Sequence, residues 1–283
     1  MAAPTTPPTA RRLLLGIKLR QLRVAAGYTP TDVYKATGIS RATLHRQETA
    51  EQSPQPRTLK TLLTLYNVGQ REAAELTRLA KESDQQPWLQ SFGDLPSPYL
   101  TLISFEREAK SLRTFEASLV PGLLQTPDYA LEATRSVWPD ATEAQLRQRV
   151  EVRIQRQEAL RLAGTGLHAI IDEAALRRRV GSAQHMRDQI DHLLEAASRP
   201  QVTLQVLGSG TGAHPAIHGA FMILNFGAPF ETDIVYLEGL VTDLFLTESG
   251  EVRRYAEAFT AVQDLALPPA ETPAYLARLR GQA

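Results

Sequence analysis

Residues 30–49 read Pro-Thr-Asp-Val-Tyr-Lys-Ala-Thr-Gly-Ile-Ser-Arg-Ala-Thr-Leu-His-Arg-Gln-Glu-Thr, and this stretch decides the fold of the N-terminal part of the chain. Thr29 and Pro30 are typical of a helix start, because threonine caps the first turn and proline fits the first helical position. Gly38, at the ninth position, allows the left-handed backbone of a tight turn, and Ser40 is placed to cap a second helix. The apolar positions that would pack the two helices together are Val33, Ile39 and Leu44. The spacing therefore predicts a helix-turn-helix.

Helical periodicity extends this unit on both sides, beginning with Leu15, Leu19 and Leu22 on one helical face. The predicted helices of the N-terminal domain span residues 12–26, 30–36, 41–48, 57–66 and 70–81. The predicted organisation is a disordered tail (1–10), a helix-turn-helix DNA-binding domain (11–82), a linker (83–98) and a regulatory or dimerisation domain (99–283). Within the proline-containing linker, Trp88 and Phe92 are expected to contact a domain surface.

The formal net charge is zero, but the charges are unevenly distributed. Residues 11–60 contain ten Lys and Arg against three Asp and Glu, a net charge of +7. The rest of the chain holds the remaining 21 basic and 28 acidic residues, a net charge of −7. A basic N-terminal part on an acidic body indicates a polyanionic partner for that part alone, although a lopsided solvated surface would give the same counts.

The second helix of the motif carries the side chains that we expect to reach double-stranded DNA. An α-helix fits the major groove, and residues near its N-terminus meet the base edges. Arg41 is best placed to bind O6 and N7 of guanine, and Ser40 and Thr43 would contact bases or phosphate. Arg46 is a phosphate candidate, as are two cations in the next helix. The predicted DNA-binding set is Thr29, Ser40, Arg41, Thr43, His45, Arg46, Arg57 and Lys60.

Several short sequence strings in this region have the composition and spacing of a known family. They are Leu19-Arg20-Gln21-Leu22-Arg23, Gly27-Tyr28-Thr29, Gly38-Ile39-Ser40-Arg41-Ala42-Thr43-Leu44, Arg46-Gln47-Glu48, and later Leu59, Leu62-Leu63 and Tyr66. They resemble the Xre/Cro-type helix-turn-helix family, which implies DNA binding. Three residues depart from that family: Pro30 replaces a phosphate-contacting glutamine, Tyr34 a small residue at the helix crossing, and Gln47 an apolar packing residue. The departures imply an altered helix crossing or weaker DNA contacts.

The second part of the chain mixes helical and strand patterns, so the predicted fold class is α+β, with a five-helix N-terminal domain and a small sheet late in the sequence. The predicted helices span residues 103–117, 129–137, 141–162, 183–197, 251–265 and 269–280. The predicted strands span residues 167–171, 202–207, 220–226, 234–237 and 240–246. The glycine-rich stretch 208–212 is predicted as a flexible turn rather than a phosphate loop, because no Lys-Ser or Lys-Thr follows it.

Residues 120–127 are predicted to form an apolar loop between helices, here named the Pro-Gly loop, and the polar residues around it are candidate contacts for a ligand or a partner. Glu106 and Glu116 lie in an otherwise apolar stretch, and the favoured alternative is that they accept hydrogen bonds from loop amides. The predicted ligand-or-partner set is Glu106, Glu116, Pro121, Gln125, Tyr129 and His214.

Two further groups carry titratable side chains. Asp172 and Glu173 end a predicted strand near the arginines at 177–179, where ion pairs with Arg149, Arg153 or Arg156 are favoured over acid–base catalysis. His214 and His218 have the spacing of metal ligands in a helix, but Pro215 indicates a loop and no third ligand follows. No metal site is therefore predicted.

The second part also contains a specific series of strings. They are Leu119-Val120-Pro121-Gly122-Leu123-Leu124-Gln125-Thr126, Asp128-Tyr129-Ala130, Arg149-Val150-Glu151-Val152-Arg153, Asp172-Glu173-Ala174-Ala175-Leu176-Arg177, Gly212-Ala213-His214-Pro215 and Val235-Tyr236-Leu237-Glu238. The series resembles antitoxin-like transcriptional regulators of actinobacteria, in which an Xre-type domain precedes a domain of unknown function. The resemblance runs from Phe105 to Leu279. It implies transcriptional regulation, often beside a small partner protein encoded nearby, and it implies no known ligand.

The amino-acid composition excludes several kinds of site and several classes of protein. The absence of cysteine excludes disulfides and thiolate metal sites, and no apolar run approaches the length of a membrane span. The first ten residues lack the charged and apolar regions of a signal peptide. We expect a cytoplasmic protein that needs no cofactor and does not associate with a membrane.

The favoured hypothesis is a DNA-binding transcriptional regulator whose second domain dimerises and senses a ligand or a small partner protein. A homodimer is expected because a single helix-turn-helix touches few bases. The alternative is an antitoxin-like interaction module whose main role is to bind a small partner encoded nearby. A hydrolase or transferase using Asp172, Glu173 or His214 is disfavoured, because no complete catalytic constellation is present, and we predict that the protein is not an enzyme.

Overall fold

The computed structural model describes residues 9–82 and 95–282, and the chain divides into two compact units. The first unit is Met1–Glu108 with Phe226–Thr232, and the second is Ala109–Asn225 with Asp233–Ala283. The predictions for residues 1–8 and for residues 83–94, including Trp88 and Phe92, lie outside the described residues. The α+β fold class is confirmed.

The helices of the first unit form because caps and apolar faces recur at the expected spacings. They are α1 (Ala10–Ala25), α2 (Pro30–Thr37), α3 (Arg41–Glu48), α4 (Pro56–Leu65), α5 (Gln70–Glu82) and α6 (Ser97–Glu108). The first five are the five predicted helices. Gly38 follows α2 with φ +75°, the left-handed conformation that the turn requires.

A small apolar core joins α2, α3 and α4. Val33, Leu44, Leu62 and Tyr66 are buried together, which confirms the predicted packing positions of Val33 and Leu44. Tyr34 does not take part, since 53% of its surface is exposed. An effect of Tyr34 on the crossing of the two helices stays a prediction.

The second unit consists of a mixed sheet and six helices. The helices are α7 (Pro127–Val137), α8 (Glu143–Ala163), α9 (Glu173–Arg177), α10 (Ala183–Ala197), α11 (Ser249–Leu265) and α12 (Thr272–Arg280). The strands are β1 (Ser111–Glu116), β2 (Gly166–Asp172), β3 (Val202–Leu207), β4 (Phe221–Phe226), β5 (Thr232–Leu237) and β6 (Leu244–Leu246). Four of the six strands follow residue 200, as predicted.

The sheet order is β3-β2-β1-β4-β5-β6. Strands β1, β2 and β3 are parallel, with Phe115 opposite Ile170, whereas β4 is antiparallel to β1 and β6 is antiparallel to β5. Parallel neighbours need crossover connections, which α7 and α8 provide between β1 and β2, and α9 and α10 between β2 and β3. The carboxyl ends of β1, β2 and β3 therefore lie at one edge of the sheet.

The predicted helix over residues 103–117 is wrong in its second half. Helix α6 ends at Glu108, and residues 111–116 form β1, which pairs with β2 on one side and with β4 on the other. A short buried apolar run has no periodicity that separates strand from helix. The two partner strands, which are distant in sequence, decide its conformation.

One face of the sheet packs against α11. Phe115, Phe221, Phe259 and Val262 are buried in one cluster, and Phe259 meets Phe221 edge-on at 6.5 Å between ring centroids. This core fixes the strands from which the candidate side chains of the second unit project.

Candidate functional site

Helix α3 presents one continuous exposed face. Successive residues of an α-helix are rotated by about 100° around the helix axis, and the exposed positions of α3 cover an arc of about 140°. The exposed side chains on this arc are Arg41, Ala42, His45 and Arg46. The side chains turned to the protein interior are Leu44 and Gln47. Two guanidinium groups and an imidazole thus share one exposed face of a helix, and an α-helix is an element that the major groove admits.

Ala42 was missed by the sequence reasoning, although it lies on the same face. Its methyl group is exposed between the cationic side chains of α3. Apolar contact with the thymine methyl group is one way in which proteins read an A·T pair. The signal in the sequence was helical periodicity, which places residue 42 beside residues 41, 45 and 46.

The hydroxyl groups of the predicted set cap helices. Ser40 Oγ accepts a hydrogen bond from Thr43 N at 3.1 Å and lies 2.8 Å from Thr43 Oγ1, while Thr43 is half-buried. Thr29 Oγ1 accepts from Asp32 N at 3.2 Å and donates to Asp32 Oδ2 at 2.5 Å. The hydrogen bond from the Thr29 side chain is the main cause of the lowered pKa of Asp32. These contacts fix the starts of α2 and α3, and a direct role in DNA contact remains a prediction.

Only part of the +7 charge of residues 11–60 is directed to solvent. Ion pairs within the first unit join Arg11 to Glu108 at 3.0 Å, Lys18 to Glu72 at 2.9 Å and Arg23 to Glu48 at 2.6 Å. The exposed cations of the predicted set are Arg41, Arg46, Arg57 and Lys60. Arg57 and Lys60 lie on α4, which packs on α2 and α5.

The pair Arg23–Glu48 joins α1 to the end of α3. Arg23 Nε and Nη2 donate to the two carboxylate oxygens of Glu48 at 2.6 and 2.9 Å, and Nη1 donates to the Tyr28 carbonyl at 2.9 Å. Both side chains are about nine-tenths buried, with 10% and 9% exposed. The hydrogen bond with Glu48 is the main cause of the raised pKa of Arg23. This bidentate contact, which the sequence reasoning missed, sets the position of α3 relative to α1.

Gly16 allows α1 and α3 to approach each other. A Cβ atom at this position would lie 2.8 Å from the carbonyl oxygens of Gln47 and Glu48, closer than van der Waals contact permits. The sequence reasoning missed this contact too, although a glycine within a helical pattern was a signal for close packing.

Gln47 is buried under α3 with 2% of its surface exposed. Its Oε1 atom has no hydrogen-bond partner among residues 9–82 and 95–282. An unsatisfied buried amide oxygen costs free energy, so this departure from the family pattern lowers stability rather than removing a contact surface.

The Pro-Gly loop of the second unit is held by side-chain amides. Gln125 Nε2 donates to the Val120 carbonyl at 2.7 Å, Tyr129 Oη accepts from Val120 N at 3.2 Å, and Arg153 donates to Gln125 Oε1. Gln157 and Gln189 donate to loop carbonyls at 2.7–2.9 Å. Of the predicted ligand-or-partner set, Gln125 and Tyr129 are therefore loop supports, and Pro121 is buried beside them.

Glu116 ends β1 in a mainly buried position. Its carboxylate accepts a hydrogen bond from Thr114 Oγ1 at 3.1 Å, so the partner is a hydroxyl group rather than the loop amide that we expected. Burial raises the pKa of Glu116 to about 8, and Glu238 adds to the shift, while the Thr114 hydrogen bond and Arg153 oppose it. Glu106 is not part of this group, since it is buried on α6 in the first unit.

His214 lies at the carboxyl ends of the parallel strands. Its ring packs edge-on against Phe115 at 5.3 Å, and Nε2 lies 3.9 Å from Asp172 Oδ2. The Nδ1 atom is buried, and no described residue offers it a hydrogen bond. Asp172 itself caps α9, where it accepts from Ala174 N at 2.7 Å.

Glu173 takes its partners from elsewhere than predicted. It pairs with Arg177 at 2.5 Å, and not with Arg149, Arg153 or Arg156. Its second oxygen accepts from Ser209 N and Ser209 Oγ at 2.8 Å each. The backbone hydrogen bond from Ser209 is the largest cause that lowers the pKa of Glu173 to about 2. The glycine-rich stretch 208–212 thus packs against a carboxylate.

Within the described ranges, no three His, Asp or Glu side chains are grouped so that they could hold a metal ion. In the same part of the chain, no helix has the length and apolarity of a membrane span.

Comparison with known families gives two matches. A model described as a helix-turn-helix domain matches residues 14–76, and a model described as a domain of unknown function, DUF5753, matches residues 99–278. No curated protein matches the chain, and no solved structure matches it. Since the second match covers more than half of the 283 residues, the chain belongs to the DUF5753 family.

Proposed function

We propose that this DUF5753 protein is a transcriptional regulator that binds double-stranded DNA through α3. The observation that carries the proposal is the exposed face of α3 with Arg41, His45 and Arg46, in a chain whose residues 14–76 match a helix-turn-helix domain. An arginine near the N-terminus of such a helix commonly donates two hydrogen bonds to O6 and N7 of guanine in the major groove.

Footprinting of the intact chain on the DNA upstream of its own gene tests this proposal. We expect a protected site at low salt, because cationic contacts with phosphate are strongest there. Absence of protection at low salt, together with unchanged regulation in the Arg41→Ala variant, would contradict it.

The finer part of the proposal is that the second unit dimerises and senses a small molecule. A single helix-turn-helix reads few bases, so two copies on a palindrome supply the specificity that regulation needs. Sedimentation of the intact chain with and without its DNA site tests dimerisation, and a 1:1 complex on a single half-site would contradict it.

An antitoxin-like role is the second candidate, in which the chain binds a small partner protein encoded nearby. The loop between β5 and β6 favours it, since Leu240 and Val241 are 89% and 93% exposed beside the half-exposed Leu244. Adjacent exposed apolar side chains are typical of protein contact surfaces. Co-expression with the neighbouring gene's product tests this role: retention of the partner by the wild type and its loss in Val241→Asp are expected, and no association with the wild type would contradict it.

A further inference from the structure

A groove in the second unit lies between α9, the start of α10 and the end of α12. Its volume is about 300 Å³, which is within the range of small-molecule sites. The apolar floor consists of Leu176, Met186, Ile190 and Leu279, all at least nine-tenths buried.

The rim of this groove is cationic. Arg177 and Arg179 are among the lining residues, which include no acidic side chain. The two arginines differ in their partners. Arg177 is balanced by Glu173, whose carboxylate it contacts at 2.5 Å.

Arg179 has no such balance. Its Nε donates to the Gly181 carbonyl at 3.3 Å, and no acidic residue in the described part of the chain forms an ion pair with it. A guanidinium group has five N–H donors, so the terminal nitrogens of Arg179 are available to a ligand. Charged hydrogen bonds to a carboxylate are among the strongest that a side chain makes.

We propose that this groove binds a small organic anion, with an apolar chain or ring against Met186 and Leu279 and a carboxylate at Arg179. The charge of the rim selects an anion, and the flexible Met186 side chain adapts to the apolar part. This site would be the ligand-sensing site of the proposed function. Binding of the anion does not depend on that function, but an effect of the anion on DNA binding does.

A methionine methyl label provides a direct probe, since the chain contains three methionines. The intact protein, labelled with ¹³C at the methionine methyl groups, is titrated with octanoate and, separately, with neutral octanol. The Met186 signal is assigned from Met186→Leu. We expect a saturable shift of the Met186 signal with octanoate and a weaker response to octanol, while the Met222 signal in β4 stays in place.

Three variants locate the site. Arg179→Gln is expected to weaken octanoate binding about fivefold, in the range of a solvent-exposed charge contact. Ala183→Leu, which adds a side chain at the groove wall, is expected to abolish it. Arg253→Gln, which removes an exposed charge on α11, leaves it unchanged.

The proposal is overturned if octanoate does not shift the Met186 signal, if octanol shifts it equally, or if Arg179→Gln binds like the wild type. DNA binding is measured separately on the same samples. Failure of DNA binding with retained octanoate binding contradicts the proposed function alone, whereas the reverse result contradicts only the groove.

Discussion

The buried pair Arg23–Glu48 shows how a single residue supports a surface that it does not form. Glu48 ends the helix that carries Arg41 and Arg46, but its own side chain is turned inward to Arg23. Removing one partner of a buried pair leaves the other charge without compensation.

We therefore predict that Glu48→Gln lowers the free energy of unfolding of the first unit by about 3 kcal/mol. Urea denaturation, followed by circular dichroism, measures this change. Glu51→Gln, an exposed carboxylate three residues away, is the control and is expected to have little effect. Equal stabilities of the two variants would show that the pair does not hold α3.

Glu116 makes stability depend on pH. Its folded pKa of about 8 lies above the ordinary value of 4.5, so the folded state favours the protonated form. The stabilising contribution is complete below pH 4.5 and is lost as the pH rises towards 8.

Glu116→Gln mimics the protonated form and removes this dependence. At pH 8 we expect the variant to be more stable than the wild type by about 2 kcal/mol, allowing for the partial exposure of the carboxyl group. At pH 4.5 the difference is expected to be near zero. Urea denaturation at both pH values measures it, with the exposed Glu195→Gln as control, and a difference that grows towards low pH would contradict the assignment.

The contact between the helices α1 and α3 depends on the fact that residue 16 is a glycine and has no side chain. We predict that Gly16→Ala costs about 2 kcal/mol, because the new methyl group meets two backbone carbonyl oxygens that are held by the helix. Thermal unfolding measures the loss, and DNA affinity is expected to fall as α3 is displaced.

Gly250→Ala is the matched control for this substitution. Gly250 lies in α11, and a Cβ atom there would meet nothing within 4 Å. Alanine is the better helix former, so the variant is expected to be as stable as the wild type or slightly more stable. If Gly16→Ala behaved in the same way, the close approach of the helices would be refuted.

The elements also show where prediction from sequence succeeds. The first five helices were predictable because caps such as Thr29 and Ser40 and the turn glycine Gly38 act locally. Strand β1 was not, because its conformation depends on pairing with residues 166–171 and 221–225.

The candidate site follows the same division. The exposed positions of α3 follow from helical periodicity, which also places the half-buried Thr43 outside the exposed arc. The contacts of Gly16 and Arg23 became evident only when α1 met the end of α3, because the sequence does not identify the residues that they meet. Of the partners of Glu173, Arg177 lies four residues away on the same helix, whereas Ser209 comes from a distant segment.

At the scale of the whole molecule, the basic first part is expected to give salt-dependent DNA binding. The logarithm of the binding constant falls linearly with the logarithm of the salt concentration, and each phosphate contact contributes about 0.9 to the slope. Arg46→Ala is expected to reduce this slope by about one, with a weakening that is uniform across DNA sequences. Fluorescence anisotropy at several salt concentrations measures it, and a slope equal to that of the wild type would exclude Arg46 from the phosphate contacts.

The measurement that tests the central claim most directly is selection of binding sites from a randomised duplex pool by the intact chain. The wild type and the control Arg253→Ala are expected to enrich the same motif, which contains a guanine at the position read by Arg41. Arg41→Ala is expected to bind the selected site more weakly by about 1–3 kcal/mol and to lose the preference for that guanine. An enriched motif that is identical for Arg41→Ala and the wild type, or no enrichment by the wild type, would contradict DNA recognition by α3.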